Sequence, residues 1–331
     1  MPNSSPLLLV LDGNSLIHRT YHAGDADQDA WALRGFARYA ARAVSRLRPD
    51  ALVVGFDCPQ TSTRRADFAG YKAHRPPKPE DLVAQLAAAP ELLQAAGLCT
   101  VVPTGWEADD VLASSAAHAR RSGWRSILMT SDRDAFALID AHTSVLRIRN
   151  GGFDEAVLID PAGLHELCGV HPEQYLDYAA LRGDPSDNLP GVRGFGAATS
   201  ARLLAAVGTI DAAWADLSAG GRAVRDAVGG QCADRLADPA AREIVDRNRR
   251  LMRMRADLPI PSLDGARLPL SSSTVRAALA AAAGGSLTLG PALWALTAGR
   301  AIPRPAEPHP PVFRRPQRHR REPTPGQMSL F

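Results

Sequence analysis

Acidic residues placed directly after apolar runs are the part of this sequence best suited to chemistry. The run 7–11 leads into Asp12, the run 51–56 into Asp57, and the run 126–130 into Ser131-Asp132-Arg133-Asp134. Each run has the length and apolar continuity of a strand buried on both faces. In an open α/β sheet, ligands sit beyond the carboxyl ends of the strands. The pattern therefore sends Asp12, Asp57, Asp132 and Asp134 to one edge. A helix expected over 106–121 opens with Glu107, Asp109 and Asp110, and Glu107 and Asp110 would share one of its faces. The segment Gly183-Asp184-Pro185-Ser186-Asp187-Asn188 adds Asp184 and Asp187.

Taken singly, each acid has an ordinary structural role. Asp is common in turns after strands. Thr104 with Glu107 fits a capping box, and acids in a first helical turn suit the macrodipole. Brought together, carboxylates repel unless cations neutralise them. No matching His/Cys set accompanies them, so the ligand field is all oxygen, which favours Mg²⁺, with Mn²⁺ as a substitute, over zinc. Two such ions can activate a water and stabilise the leaving oxygen of a phosphodiester.

The elements that must position these acids follow from periodicity. Strands are expected at 7–11, 51–56, 99–102, 126–130 and 144–148, with helices at 31–47, 81–96 and 106–121 between them. That alternation predicts an α/β layer with a mainly parallel sheet. From about His171 strand runs give way to short helical segments at 173–182, 197–207, 210–217, 240–252 and 273–283. The expected organisation is a catalytic domain over 1–170, a helical domain over 171–300, and a disordered tail over 301–331 rich in Pro, Arg and His.

Composition sets outer limits. The chain has 331 residues, 45% hydrophobic and 22% charged, which suits a soluble globular protein of two modest domains. Aromatics are only 5%, so aliphatic residues and alanine must fill the core. Cys58, Cys99, Cys168 and Cys232 lie far apart with no CxxC pair, which argues against a zinc site or a disulfide framework and for reduced thiols in the cytoplasm. No apolar run is long enough to span a bilayer, and residues 1–10 lack the basic start of a signal peptide. The net charge is +3, with arginines 304, 314, 315, 318, 320 and 321 concentrated in the tail. An otherwise basic body around an acidic pocket suits a phosphate polymer as partner.

The order of motifs resembles the 5′-nuclease (5′-3′ exonuclease, flap-endonuclease) domain of bacterial DNA polymerase I. The segments are Leu9-Val10-Leu11-Asp12-Gly13, Gly55-Phe56-Asp57, Gly70-Tyr71-Lys72-Ala73-His74-Arg75, Trp106-Glu107-Ala108-Asp109-Asp110, Thr130-Ser131-Asp132-Arg133-Asp134 and Gly183-Asp184-Pro185-Ser186-Asp187-Asn188-Leu189-Pro190-Gly191-Val192. The resemblance covers roughly 7–261. It implies a PIN-like, Rossmann-resembling sheet with a helical arch over about 68–96, then a helix-three-turn-helix over about 183–210. It puts Asp12, Asp57, Glu107, Asp109, Asp110, Asp132, Asp134, Asp184 and Asp187 at metal-site positions. Lys72 and Arg75 fall where the family contacts the scissile phosphate. Arg19, Arg64 and Tyr71 are implied DNA contacts, Tyr71 by stacking on an unpaired base. Gly191, Arg193, Gly194, Gly196 and Thr199 fall in the phosphate-binding turn.

The implied substrates are DNA with 5′ flaps, nicks or free 5′ ends, including RNA-primed ends, in replication and repair. Three departures from the family bear on DNA contacts: Ala198 where a lysine is usual, His18 in place of an aromatic, and a short 22–31 segment. With no polymerase domain after the nuclease motifs, a stand-alone, monomeric cytoplasmic nuclease is expected. The final Gln327-Met328-Ser329-Leu330-Phe331 resembles the short peptide by which bacterial replication proteins bind the sliding clamp, with Gln327, Leu330 and Phe331 as its anchors. Two rivals remain at this point: a ribonuclease of the PIN type, and a non-catalytic DNA-binding scaffold.

Overall fold

The computed structural model describes residues 5–24, 30–282 and 296–297. The expected tail, with Gln327, Leu330 and Phe331, lies outside the described residues. Strands β1 (Leu7–Asp12), β2 (Ala51–Gly55), β3 (Cys99–Val101), β4 (Arg125–Thr130), β5 (Thr143–Arg149) and β6 (Gly152–Ile159) form one sheet in the order β3-β2-β1-β4-β5-β6. The first five are mutually parallel and β6 is antiparallel to β5. A mainly parallel sheet was expected; β6 was not, because 152–159 mixes apolar and acidic residues without a clean run.

The chain leaves β1 towards β2 and β3, then returns to add β4 on the other side of β1. The strand order thus reverses between β1 and β4, and ligand crevices in such sheets open at that point. Register places Asp12 beside Gly55, at the carboxyl ends of β1 and β2.

Alternation along β1 divides the core into two layers. Leu8 and Val10 face one layer with Val111 and Leu112; Leu9 and Leu11 face the other with Leu16, Phe36 and Leu82. Both faces of the strand are covered, which is why it reads as continuously apolar. Helices α1 (Gly13–Ala23), α2 (Trp31–Leu47) and α4 (Glu80–Ala95) supply the second layer. Between α2 and α4 lies the one-turn helix α3 (Thr63–Asp67), and α5 (Ala108–Arg121) packs on the first face.

Across 68–96, where an arch was expected, the chain makes a turn through 69–75 and then α4. Leu82, Gln85, Ala89 and Leu93 of α4 are buried, so this helix lies against the body.

The remaining elements are α6 (Pro161–Cys168), α7 (Tyr175–Arg182), the two-residue strands β7 (Gly183–Asp184) and β8 (Leu189–Pro190), α8 (Ala197–Val207), α9 (Ile210–Ser218), α10 (Arg222–Val228), α11 (Gly230–Ala237), α12 (Pro239–Met252) and α13 (Ser272–Ala282). This helical part shares the first layer of the core: Leu181, Leu189, Phe195, Leu203 and Val245 continue the cluster that holds Leu8 and Phe136. Among the described residues no helix is long and apolar enough to cross a membrane.

Candidate active site

The carboxyl edge of the sheet opens into a cavity of about 760 Å³, lined among others by Asp12, Asp57, Glu107, Asp109 and Asp132. Asp12 ends β1 and caps α1. Its carboxylate accepts the Ser15 backbone N–H at 2.9 Å and the Thr130 hydroxyl at 2.6 Å. Asp57 accepts from the Asn14 side-chain amide at 2.8 Å and from the Ala108 backbone N–H at 2.9 Å. Asp132 is tied into its own turn, accepting the Asp134 N–H at 3.0 Å. Asp134, Asp184 and Asp187 make a second group, with one carboxylate oxygen from each within 4.8 Å of the others. The tight antiparallel pair β7–β8 brings Asp184 there. Gly183 has φ +74°, and a Cβ on Gly191 would lie 2.2 Å from the Arg182 carbonyl oxygen, so only glycine fits this crossing.

Two cations join the groups. Lys72 Nζ lies 3.0 Å from Glu107 and 3.9 Å from Asp187. Arg75 donates to Asp187 at 2.6 Å and to the Ser186 carbonyl at 3.1 Å. Lys72 adopts left-handed backbone geometry, φ +55°, and donates its N–H to the Asp187 carbonyl at 2.9 Å. A non-glycine residue held there marks a position the surrounding structure over-determines.

Asp12, Asp57, Asp109, Asp132, Asp134 and Asp184 have no ion-pair partner among the described residues. Burial, with the charges of Asp57 and Asp132, pushes Asp12 up to about 7 against the pull of its Thr130 and Ser15 hydrogen bonds. Burial, then Asp12 and Asp132, raises Asp109 well above the usual carboxylate range. Asp134 is raised likewise by burial and by Asp132, Asp184 and Asp187. Grouped carboxylates that favour the neutral form are a site short of positive charge, and a donor set dominated by carboxylate oxygens fits hard divalent cations.

Three expected site residues are placed otherwise. Asp110 is fully buried and its carboxylate is saturated. It accepts both Arg64 nitrogens at 2.7 and 2.8 Å, the Glu107 N–H at 3.0 Å and the Arg255 N–H at 2.8 Å. Arg64 is 7% exposed and also donates to the Leu251 carbonyl at 2.8 Å, so its guanidinium is turned into the protein. Tyr71 is 4% exposed and donates its hydroxyl to Glu107 at 3.0 Å; its ring cannot stack on a base. Glu107, not Thr104, caps α5, so the helix starts two residues later than its pattern suggested. Glu107 and Asp110 therefore do not share an open helix face.

The other positions are accessible. Arg19 lines the cavity and bonds Asn150 at 3.3 Å. Arg193, Gly194 and Gly196 are exposed, and Gly191 and Thr199 half-buried, in and after the turn that leads to the start of α8. Sequence reading missed Asn14, Ser15 and Thr130, which orient Asp12 and Asp57, and also Lys78, which lines the cavity. A signal existed for the first three: each lies within three residues of a site acid.

A mainly parallel sheet with a carboxylate-rich centre at its switch point defines a fold of the PIN-like class. Residues 7–169 match the 5′-3′ exonuclease N-terminal resolvase-like domain, and residues 170–272 the 5′-3′ exonuclease C-terminal SAM fold. The thermostable DNA polymerase I of Thermus aquaticus is 38% identical over 226 residues, 67% of this chain and 26% of that protein. DNA polymerase I of Mycobacterium tuberculosis is 34% identical over 264 residues, 78% of this chain and 28% of its own. The chain thus spans less than a third of the length of these relatives.

Among solved structures, the T5 D15 protein co-crystallised with metal ions superposes with a TM-score of 0.63 at 20% identity, covering 83% of this chain and 93% of that one. The catalytic core of Rad2 in complex with DNA substrate gives 0.52 at 16%, covering 85% and 88%. The chain belongs to the 5′-3′ exonuclease family of nucleases.

Proposed function

We propose that this chain is a structure-dependent 5′-3′ exonuclease and 5′-flap endonuclease that hydrolyses DNA phosphodiesters with two Mg²⁺ ions, Mn²⁺ serving as a substitute. The observation that carries this reading is the crowding, at one edge of the sheet beside Lys72 and Arg75, of carboxylates of which six lack an ion-pair partner among the described residues. Asp12, Asp57, Glu107, Asp109 and Asp132 would hold one ion, and Asp134, Asp184 and Asp187 a second. Bound cations would neutralise phosphate charge and promote attack by water at phosphorus.

The protein's own groups do the rest. Thr130 and the Ser15 N–H aim Asp12, while Asn14 and the Ala108 N–H aim Asp57. Lys72 and Arg75 offset charge that develops on the phosphate. Cleavage leaves a 5′-phosphate and a 3′-hydroxyl. Asp110, Arg64 and Tyr71 act as struts behind this set.

A DNA substrate is supported by the solved complexes of T5 D15 flap endonuclease and of the Rad2 core with DNA. On this reading residues 1–170 form the catalytic domain, and 171–300 grip the duplex and lend Asp184 and Asp187 to the site. Arg19, Gly191, Arg193, Gly194, Gly196 and Thr199 contact its backbone. The enzyme acts as a cytoplasmic monomer in primer removal and repair, docked to the sliding clamp through Gln327, Leu330 and Phe331. The test is cleavage of an end-labelled 5′-flap duplex by wild type and Asp132→Ala, with Mg²⁺ and with EDTA. Cleavage by wild type with Mg²⁺ alone is expected. EDTA-resistant cleavage, or wild-type turnover by Asp132→Ala, would overturn the assignment.

A further inference from the structure

Next to the second carboxylate group lies a set of arginines that no salt bridge holds among the described residues. Arg133 separates Asp132 from Asp134, Arg182 precedes Gly183-Asp184, and Arg147 pairs in register with Thr130 at the end of β4. Arg149 lies two residues further along β5, past an irregularity in its pairing with β6, and near enough for its charge to act on Arg147. None of these four arginines forms an ion pair among the described residues.

Rings hold two of them instead. Phe136, Tyr175 and Tyr178 form a buried row, each centroid 5.6 Å from the next. The Arg147 guanidinium lies 5.9 Å from the Phe136 centroid at one end, and that of Arg182 lies 5.4 Å from the Tyr178 centroid at the other. Stacking of this kind fixes a guanidinium without cancelling its charge. Burial, with the like charges of Arg133 and Arg149, holds Arg147 below the usual arginine range. Arg147 Nε and the Tyr175 hydroxyl are buried with no hydrogen-bond partner. Mutually repelling cations on a rigid platform are stabilised by an external polyanion.

We propose that Arg133, Arg147, Arg149 and Arg182 bind the phosphate backbone of a DNA strand where it passes the carboxylate cavity on the α7 side. This inference rests on the DNA substrate proposed above. It assigns part of the affinity to the β4–β5 edge of the sheet, apart from the turn before α8. Rings anchor Arg147 and Arg182, while Arg133 and Arg149 are exposed and can follow the strand.

The experiment measures anisotropy of a labelled 5′-flap duplex with the full chain in EDTA over a range of salt concentrations. Arg133→Ala/Arg149→Ala removes two exposed cations, and the slope of log affinity against log salt should shallow by about two units. The control Arg121→Ala/Arg125→Ala removes equal charge at the amino edge of the sheet, where α5 ends and β4 begins, and should leave the slope unchanged. An unaltered slope in the first pair, or an equal loss in both, overturns the patch while binding by wild type preserves the nuclease reading. Absence of DNA binding by wild type at any salt concentration overturns both.

Discussion

The Arg64 guanidinium grips the Asp110 carboxylate through two parallel hydrogen bonds, 2.7 and 2.8 Å, with both side chains buried. Arg64 belongs to α3, just before the Lys72 turn; Asp110 belongs to the first turn of α5, just after Glu107. Further links tie α3 and α5 to the end of α12 and the residues after it: Arg64 to the Leu251 carbonyl, Arg250 to Asp67 at 2.6 Å, and Asp110 to the Arg255 N–H. One buried pair thus sets the spacing between the cationic turn, the carboxylate helix and the helical part.

If Asp110 is a strut and not a ligand, its loss should appear in folding before it appears in metal affinity. Arg64→Ala strands a buried carboxylate and should cost about 3–5 kcal/mol in urea unfolding. Asp110→Asn should also destabilise, yet leave Mg²⁺ affinity by calorimetry within about twofold of wild type, a window well inside the tenfold that 1.4 kcal/mol represents. Asp109→Asn should weaken Mg²⁺ severely while folding normally. Equal loss of Mg²⁺ binding in Asp110→Asn and Asp109→Asn would restore Asp110 to the ligand set.

Crowded carboxylates make the metal-free protein less stable than its loaded form. Saturating Mg²⁺, at about a hundred times its dissociation constant, should stabilise the fold by about 2.7 kcal/mol. A rise in Tm on adding Mg²⁺, reversed by EDTA and absent in Asp132→Ala/Asp134→Ala, would bear this out. A Tm indifferent to Mg²⁺ would count against a cation site among these acids.

Lys72 reaches both acid groups from a left-handed backbone position. Lys72→Ala should lower the single-turnover cleavage rate about a hundredfold, the size of one charge-assisted contact in the transition state. DNA affinity should change far less than the rate. If affinity and its salt dependence change while the rate holds, Lys72 is only a surface phosphate contact.

Gly191 faces the Arg182 carbonyl at a distance no Cβ tolerates, and the atoms that would clash are backbone. Gly191→Ala should push β7 from β8 and shift Asp184, at a cost of roughly 3 kcal/mol, typical of strain imposed at a special backbone position. Urea unfolding gives the stability loss, and Mg²⁺ titration the damage to the second carboxylate group. A fully stable Gly191→Ala would mean the two strands part easily.

The clamp peptide is open to a direct assay. A labelled peptide spanning 323–331 should bind the bacterial sliding clamp saturably, with Leu330 and Phe331 as apolar anchors. Binding should vanish when both become alanine, while flap cleavage by the free enzyme is unaffected. No saturable binding at high clamp concentration removes this partner and leaves the nuclease assignment standing.

The sequence by itself determined the acids and the edge they occupy. Continuous apolar runs ending at Asp12, Asp57 and Asp132 specify buried parallel strands, and strand ends are where such sheets present ligand groups. Periodicity set the bounds of α2 over Trp31–Leu47 without error. It could not show β6, whose register depends on its partner β5 more than on its own pattern. Nor could it rank the neighbours Asp109 and Asp110. Both are acids in one helical turn, and only the rotation of α5 against β1 and β2 turns one to the cavity and the other to Arg64. The same holds for Arg64 and Tyr71, basic and aromatic residues of binding character that packing has placed behind the site. Residue type limits what a side chain can do; burial and the partners brought by distant elements decide which of those things it does.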